Sequence, residues 1–379
     1  MTEARWRHWM LPGLMGLIAA TVLGAGSLSA GSLAGAPPPA EPRSAACGPS
    51  SEPAWYELEE RADARGSLVG YDLRTGLAQR VARLDAVLPA EGFAAGPFAG
   101  SVLYGSDGGG RSTVTLASPA DGCKSVVATS GDVIRRATLD ARNGDLFTFR
   151  LDRRGRRDLG VWRQALSGST PPTRVLPPLK SSPEAWLRFG RTFSTEFTWS
   201  TDGATLAVQS CGAFECRTRL LDTATGRISE FDQPGQGELL GVTPEALVSY
   251  AACPGTPCPI VAIDRLAETV RMLAQGAVSA TLVNDGGDST VVLETPAVAG
   301  EPSTIRAVAL DGTSRSVAVA SEPDDRLLPA GSRSLAALES PQGWVVVSRE
   351  RLSAPGGPSP ARLVRLVDGA TMQLEGVVR

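Results

Sequence analysis

Between Thr192 and Phe231 the sequence reads as four short strands in succession, and this pattern limits what the chain can become. The runs at 192–200, 204–210, 217–223 and 227–231 are rich in β-branched, aromatic and leucine residues, which suit a pleated, half-buried surface. Turn chemistry separates them: Thr201-Asp202-Gly203, then the stretch from Cys211 to Cys216, then Ala224-Thr225-Gly226. Four antiparallel strands in about 40 residues form a sheet that needs neighbours to cover both of its faces.

The unit repeats. Three strands are expected at 55–60, 67–73 and 77–84, and three more at 101–105, 112–117 and 125–128. Sets of four follow at 133–139, 146–151, 158–166 and 174–179; in the opening stretch; at 239–242, 246–252, 259–264 and 269–273; at 277–283, 289–295, 303–310 and 314–320; and at 333–338, 344–349, 362–367 and 371–378. About 325 residues in seven units give about 46 residues each, the period of propeller blades. The expected fold is therefore all-β: a single β-propeller over residues 54–379, with seven blades and six as the alternative count. By this pattern the first blade lacks an inner strand, and the last strand already completes the seventh.

The turn after the first strand of the opening stretch runs Trp199-Ser200-Thr201-Asp202-Gly203-Ala204-Thr205-Leu206-Ala207. It resembles the W-S-x-D-G-x-x-L-A signature of TolB-like and WD40-like repeat propellers. Weaker versions stand at Asp140-Ala141-Arg142-Asn143-Gly144, Asn284-Asp285-Gly286-Gly287 and Ser340-Pro341-Gln342-Gly343. The resemblance implies the fold and no substrate, because propellers host many unrelated functions.

Ahead of the repeat, Arg5 and Arg7 precede an apolar run from Met10 through Leu28 that fades into Gly, Ser and Ala. A basic flank, an apolar stretch and small residues make an export signal or an uncleaved anchor helix over 1–36. The Ala-, Pro- and Ser-rich segment 37–53 reads as a linker. The protein is thus expected outside the cytoplasmic membrane, secreted or anchored, touching the membrane only through that N-terminal segment. Export makes the six cysteines candidates for three disulfides. Cys211 with Cys216 and Cys253 with Cys258 flank equivalent second-to-third strand turns, leaving Cys47 with Cys123.

The only histidine is His8. Ser-His-Asp and Cys-His catalysis and histidine-bearing zinc sites are therefore excluded from the domain, and no cofactor is implied. Paired carboxylates remain open as acid and nucleophile, with Glu57, Glu59, Asp140, Asp145, Asp285 and Asp288 as candidates. Asp140, Asn143 and Asp145, or Asp285 and Asp288, are also oxygen donors suited to calcium, without completing a calcium loop. The competing reading of these residues is turn formation. With a net charge of −3, nucleic acid is not an expected partner.

Propeller topology places the second-to-third strand turns on one face with the loops between blades. That face collects Asp107 to Gly110, the basic turn with Arg150, Arg153, Arg154, Arg156 and Arg157, both cysteine-closed turns, and the Pro/Gly-rich loops 296–302 and 352–361. Loops on a stiff scaffold usually carry binding, and the arginines suit carboxylate or phosphate. The expected function is a non-enzymatic binding module at the cell envelope, whose partner is another envelope protein or an anionic envelope ligand. The alternative is an exported hydrolase or lyase acting on a glycan or other envelope polymer through channel carboxylates.

Overall fold

The computed structural model describes residues 54–60, 66–72, 77–84, 88–93, 96–118, 122–154, 157–168, 170–179, 194–211, 216–231, 236–251, 258–285, 288–295, 304–319, 333–337, 344–349 and 361–374. The leader and linker, Cys47, Cys253, Arg156 and the two Pro/Gly-rich loops lie outside these residues.

The described residues form seven antiparallel sheets. Sheet 1 has three strands, β1 (Ala54–Glu60), β2 (Gly66–Asp72) and β3 (Ala78–Leu84). Each later sheet has four. Sheet 2 holds β4 (Leu88–Phe93), β5 (Ser101–Gly108), β6 (Arg111–Ser118) and β7 (Cys123–Ser130). Sheet 3 holds β8 (Val133–Asp140), β9 (Asp145–Leu151), β10 (Asp158–Ala165) and β11 (Thr173–Leu176). Sheet 4 holds β12 (Ser194–Trp199), β13 (Thr205–Cys211), β14 (Cys216–Asp222) and β15 (Ile228–Phe231). Sheet 5 holds β16 (Gln236–Val242), β17 (Ala246–Ala251), β18 (Cys258–Asp264) and β19 (Val270–Ala277). Sheet 6 holds β20 (Ser279–Asp285), β21 (Asp288–Glu294), β22 (Thr304–Ala309) and β23 (Ser314–Val319). Sheet 7 holds β24 (Arg333–Ala337), β25 (Trp344–Arg349), β26 (Ala361–Arg365) and β27 (Thr371–Leu374).

Two sequence expectations change. Leu88–Phe93 is the first strand of sheet 2 and pairs with β5, although the sequence pattern passes over it. Its Pro89 argues against a strand, and the pairing accommodates it with a register shift between Leu88 and Glu91. The first strand of sheet 1 is not missing: β1 lies beside β4, the innermost strand of the next sheet. Sheet 1 lacks an outer strand instead, among the described residues.

The core sits between the sheets. Second strands are covered on both faces, so β9 is buried at every position and β13 at all but its last. Between sheets 3 and 4, Phe147, Phe149, Val161, Leu206, Val208 and Leu221 form one cluster. Burying each such side chain contributes about 1.5–3 kcal/mol. Phe147 meets Trp199 edge to face with ring centroids 5.6 Å apart.

Polar side chains bridge each successive pair from sheet 2 to sheet 7. Gln164 Nε2 donates to Val127 O (2.6 Å), and Arg136 Nε to Thr195 O (2.8 Å). Gln209, only 1% exposed, accepts from Leu239 N (2.7 Å) and donates to Gly237 O (3.2 Å). Arg271 donates to Leu310 O, and Arg315 Nη1 to Leu366 O (2.7 Å). All basic residues but Lys124 and Lys180 are arginines, whose forked donors reach a neighbour's carbonyl at a sheet edge.

Candidate binding site

The Trp-Ser-x-Asp-Gly turn shows what each of its residues does. Ser200 N and Oγ clamp Thr205 across the turn (2.8 and 2.9 Å), and Ser200 Oγ donates to Asp202 Oδ1 (2.5 Å). Asp202 Oδ1 also accepts from Ala204 N (3.0 Å), while Gly203 supplies a φ of 67°. Burial pushes the Asp202 carboxyl up, but hydrogen bonds from Ser200 and Ala204 and the charge of Arg142 hold it below its ordinary value. The Trp199 indole leaves the turn and donates to Thr138 Oγ1 (2.8 Å), and Thr138 Oγ1 donates to Glu91 Oε1 (2.8 Å). Three consecutive inner strands, β12, β8 and β4, are thereby linked.

Glu91 and the turn residues from Trp199 to Gly203 line a cavity of about 540 Å³. Its walls are the C-terminal ends of the inner strands of sheets 2 to 6, with Glu91, Phe197, Trp199, Leu240, Thr281 and Asn284 among the side chains. It opens on the face of the first-to-second strand turns, with Arg142 and Asp202 at its edge. In its wall Gly241 lies against Leu282: a Cβ there would come within 2.4 Å of the leucine side chain.

The carboxylates at the turn between β8 and β9 are engaged locally. Asp140, 2% exposed, accepts from Arg142 N (2.9 Å), Arg142 Nε (3.3 Å) and Asn143 Nδ2 (3.0 Å). Arg142 Nη2 continues to Thr223 Oγ1 in sheet 4 (3.0 Å), and Asp145 pairs with Arg163. The Asp140, Asn143 and Asp145 set is therefore a turn and a sheet-to-sheet latch. Glu57 and Glu59 fall on β1; Asp285 and Asp288 are register partners at the turn between β20 and β21. Among the described residues no group of three His, Cys, Asp or Glu side chains is arranged to hold a metal.

Farther along the inner strands, Glu196 pairs with Arg136. Burial raises the Glu196 carboxyl; Arg136 opposes that rise and Glu238 adds to it. Burial also pushes the Tyr250 hydroxyl up to about 12, with hydrogen bonds to Ala280 and Ser279 opposing and Glu238 reinforcing.

The four described arginines of this turn, Arg150, Arg153, Arg154 and Arg157, differ in their surroundings. Arg150 is 7% exposed within β9; its Nε donates to Thr148 Oγ1 (3.0 Å) and its guanidinium lies 5.0 Å from the Trp162 ring centre. Arg153 bridges to sheet 2, donating to Gly131 O (2.9 Å) and Gly110 O (3.1 Å). A second cavity, of about 310 Å³, lies under this bridge, with Asp107 and Asp132 beside Arg111 and Arg153. Arg154 and Arg157 remain exposed. Cys211 and Cys216 are disulfide-bonded across the turn between β13 and β14, as the spacing predicts. Cys123 and Cys258 are also in disulfides.

Sheets arranged this way, with a cavity at the ends of their inner strands, define a β-propeller. Solved structures agree on the fold. A prolyl endopeptidase aligns over 85% of this chain at 12% identity and a TM-score of 0.55. An oligogalacturonate lyase determined with manganese aligns over 86% of this chain and 85% of its own, at 13% identity and a TM-score of 0.55. The β-propeller domain of the Trilobed protease from Pyrococcus furiosus aligns over 86% of this chain and 98% of its own, at 10% identity and a TM-score of 0.50. The chain spans 50% of the prolyl endopeptidase, about half its length. No protein-family profile and no curated protein matches the sequence.

Proposed function

We propose that the protein is a binding module, a β-propeller outside the cytoplasmic membrane that receives part of another envelope protein in the cavity at the channel mouth. The observation that carries this reading is the state of the polar groups around that cavity. Asp140 is closed by Arg142 and Asn143, Asp202 by Ser200 and Ala204, and Glu91 accepts from Thr138. Groups positioned in this way suit recognition, whereas acid–base chemistry needs a group poised to exchange a proton. The disulfide at Cys211–Cys216 fits an oxidising compartment.

A second reading, a hydrolase or lyase acting on a glycan, has one observation in its favour. Burial raises the Glu196 carboxyl and Glu238 adds to the rise, an environment of the kind a catalytic acid requires. The pairing of Glu196 with Arg136 favours the ionised form and makes this the weaker reading.

In-cell photo-crosslinking separates the alternatives. A photoreactive residue at Asn284, on the cavity rim, is expected to capture one defined envelope protein. The same group at Val126, exposed on the outer strand β7, is the control. Equal or no capture from both positions overturns the binding reading. Turnover of a glycan that disappears in Glu196→Gln supports the second.

A further inference from the structure

We propose that the gap between sheets 3 and 4 holds a second binding site, in which the Arg219 guanidinium takes the carboxylate group of a small ligand. Arg219 does not line the channel-mouth cavity, so this site stands or falls apart from the reading above.

Strand alternation sets the direction of the side chain. Leu221 packs into the cluster between sheets 3 and 4, so Arg219, at the alternate position before it on β14, faces sheet 3 as well. Arg219 is 2% exposed, and its Nη1 donates to Pro177 O, just beyond β11. That bond uses one end of the guanidinium. Nε and Nη2, the two donors along its other edge, are buried and have no hydrogen-bond partner among the described residues. Two parallel N–H groups of this kind are the fork that matches the two oxygens of a carboxylate.

Two carboxylates act on Arg219 through their charge alone. Burial lowers the guanidinium from its ordinary value, and Asp158 and then Glu230 oppose that shift. Asp158 is committed within sheet 3: Oδ1 accepts from Gly160 N (2.6 Å) and Oδ2 from Leu179 N (2.9 Å). Glu230 is the register partner of Arg219 on β15 and is exposed to solvent. Buried donors without a partner are rare in native folds and call for a bound water or ion. Water brings no charge to set against a buried guanidinium, whereas an anion does.

The surroundings also limit the guest. Asp158 already places one negative charge near the fork, which suits a singly charged, planar carboxylate better than a doubly charged phosphate. Because Nε and Nη2 are covered, the guest is small. It enters from the rim, where β11 and β15, the outer strands of the two sheets, are only four residues long.

The test is an acetate titration of the full-length chain in mild detergent at fixed ionic strength. Broadening of the acetate methyl resonance and the thermal unfolding midpoint are both followed. Arg219→Lys keeps a charge but loses the fork, Arg219→Met removes the charge, and Arg154→Ala removes an exposed arginine as a control. The unaltered chain and Arg154→Ala should show saturable broadening and a saturable rise in midpoint. Affinity should fall about tenfold in Arg219→Lys, and both effects should vanish in Arg219→Met. Without acetate, Arg219→Met should be at least as stable as the unaltered chain, since it no longer buries a charge whose fork is open.

No broadening in the unaltered chain, or broadening that persists undiminished in Arg219→Lys, overturns the site. A midpoint rise shared by every variant is a general salt effect and counts against it in the same way. Inorganic phosphate that displaces acetate at a lower concentration than acetate itself needs overturns the carboxylate assignment. Capture from Asn284 tests the channel mouth separately, so failure here leaves that reading in place.

Discussion

The Trp199 indole donates a 2.8 Å hydrogen bond to Thr138 Oγ1, tying the inner strand of sheet 4 to that of sheet 3. Thr138 is buried and donates its own hydrogen bond to Glu91, so removal of its hydroxyl leaves two groups without this partner. Thr138→Val is therefore expected to cost about 1–3 kcal/mol, more than the roughly 1 kcal/mol expected from Trp199→Phe through its hydrogen bond alone. Urea unfolding of both single variants and the double variant checks this. A double variant as destabilised as the sum of the singles means that the two residues are not coupled.

Three third-to-fourth strand turns share one geometry. The N–H of Gly226, Glu268 and Gly369 each bonds the carbonyl four residues earlier, on Asp222, Asp264 and Arg365. Gly226 and Gly369 have φ of 72° and 71°, while Glu268 holds the same conformation at 54° as a non-glycine residue. A left-handed conformation costs an L-residue about 1–2 kcal/mol, so Glu268→Gly should stabilise the protein by about 1 kcal/mol. The reverse change separates the other two positions. A Cβ at Gly226 meets open space, whereas at Gly369 it comes within 2.4 Å of Val317 O, so Gly369→Ala should be the more damaging. Thermal unfolding of the three variants gives the order directly; Glu268→Gly with an unchanged or lower midpoint contradicts this account.

These turns also show how far the sequence could be read. Asp202 and Gly203 act within a few residues of themselves, and the strands around them are marked by composition, so the repeat was legible. The strand Leu88–Phe93 was not, because Pro89 and Gly92 are loop residues by composition and only the register shift beside β5 makes room for them. Arg150 looked like part of a basic hairpin because Arg153 to Arg157 follow it. A second strand covered on both faces obeys no inside–outside alternation, and Trp162 takes the guanidinium instead. The cavity was illegible for a different reason. Its walls come from strand ends as distant as Glu91 and Asn284, and no local pattern reports which strand ends converge.

Acid should weaken the same family of turns. Asp264 Oδ1 accepts from Leu266 N (2.8 Å) and Ala267 N (2.7 Å), and these bonds hold its carboxyl below the ordinary value of 3.8. Asp222 is lowered in the same way, chiefly by the amide of Thr225. A depressed carboxylate contributes stability that is complete above its unfolded value and is lost as pH falls through the folded one. Asp264→Asn should thus lower the unfolding midpoint at neutral pH, and its difference from the parent should shrink below about pH 4. A difference that stays constant down to pH 2 would place the effect in geometry instead of charge.

Gly241 and Leu282 meet in the wall of the cavity. They lie on the inner strands of adjacent sheets, β16 and β20, and an added Cβ on Gly241 would stand 2.4 Å from Leu282 Cδ2 and 2.5 Å from its Cβ. Neither atom is the free end of a long chain, so Gly241→Ala must push the two strands apart. Overpacking of this kind typically costs about 1–3 kcal/mol. Leu282→Ala alone removes buried apolar surface and should cost about 2–5 kcal/mol. In combination the smaller side chain removes the contact with Cδ2, although the leucine Cβ position persists. The double variant should therefore be less destabilised than the sum of the singles by about 1 kcal/mol. Because both residues wall the cavity, Gly241→Ala should also weaken whatever binds there. Additive costs, with binding untouched, would mean that this contact does not shape the cavity wall.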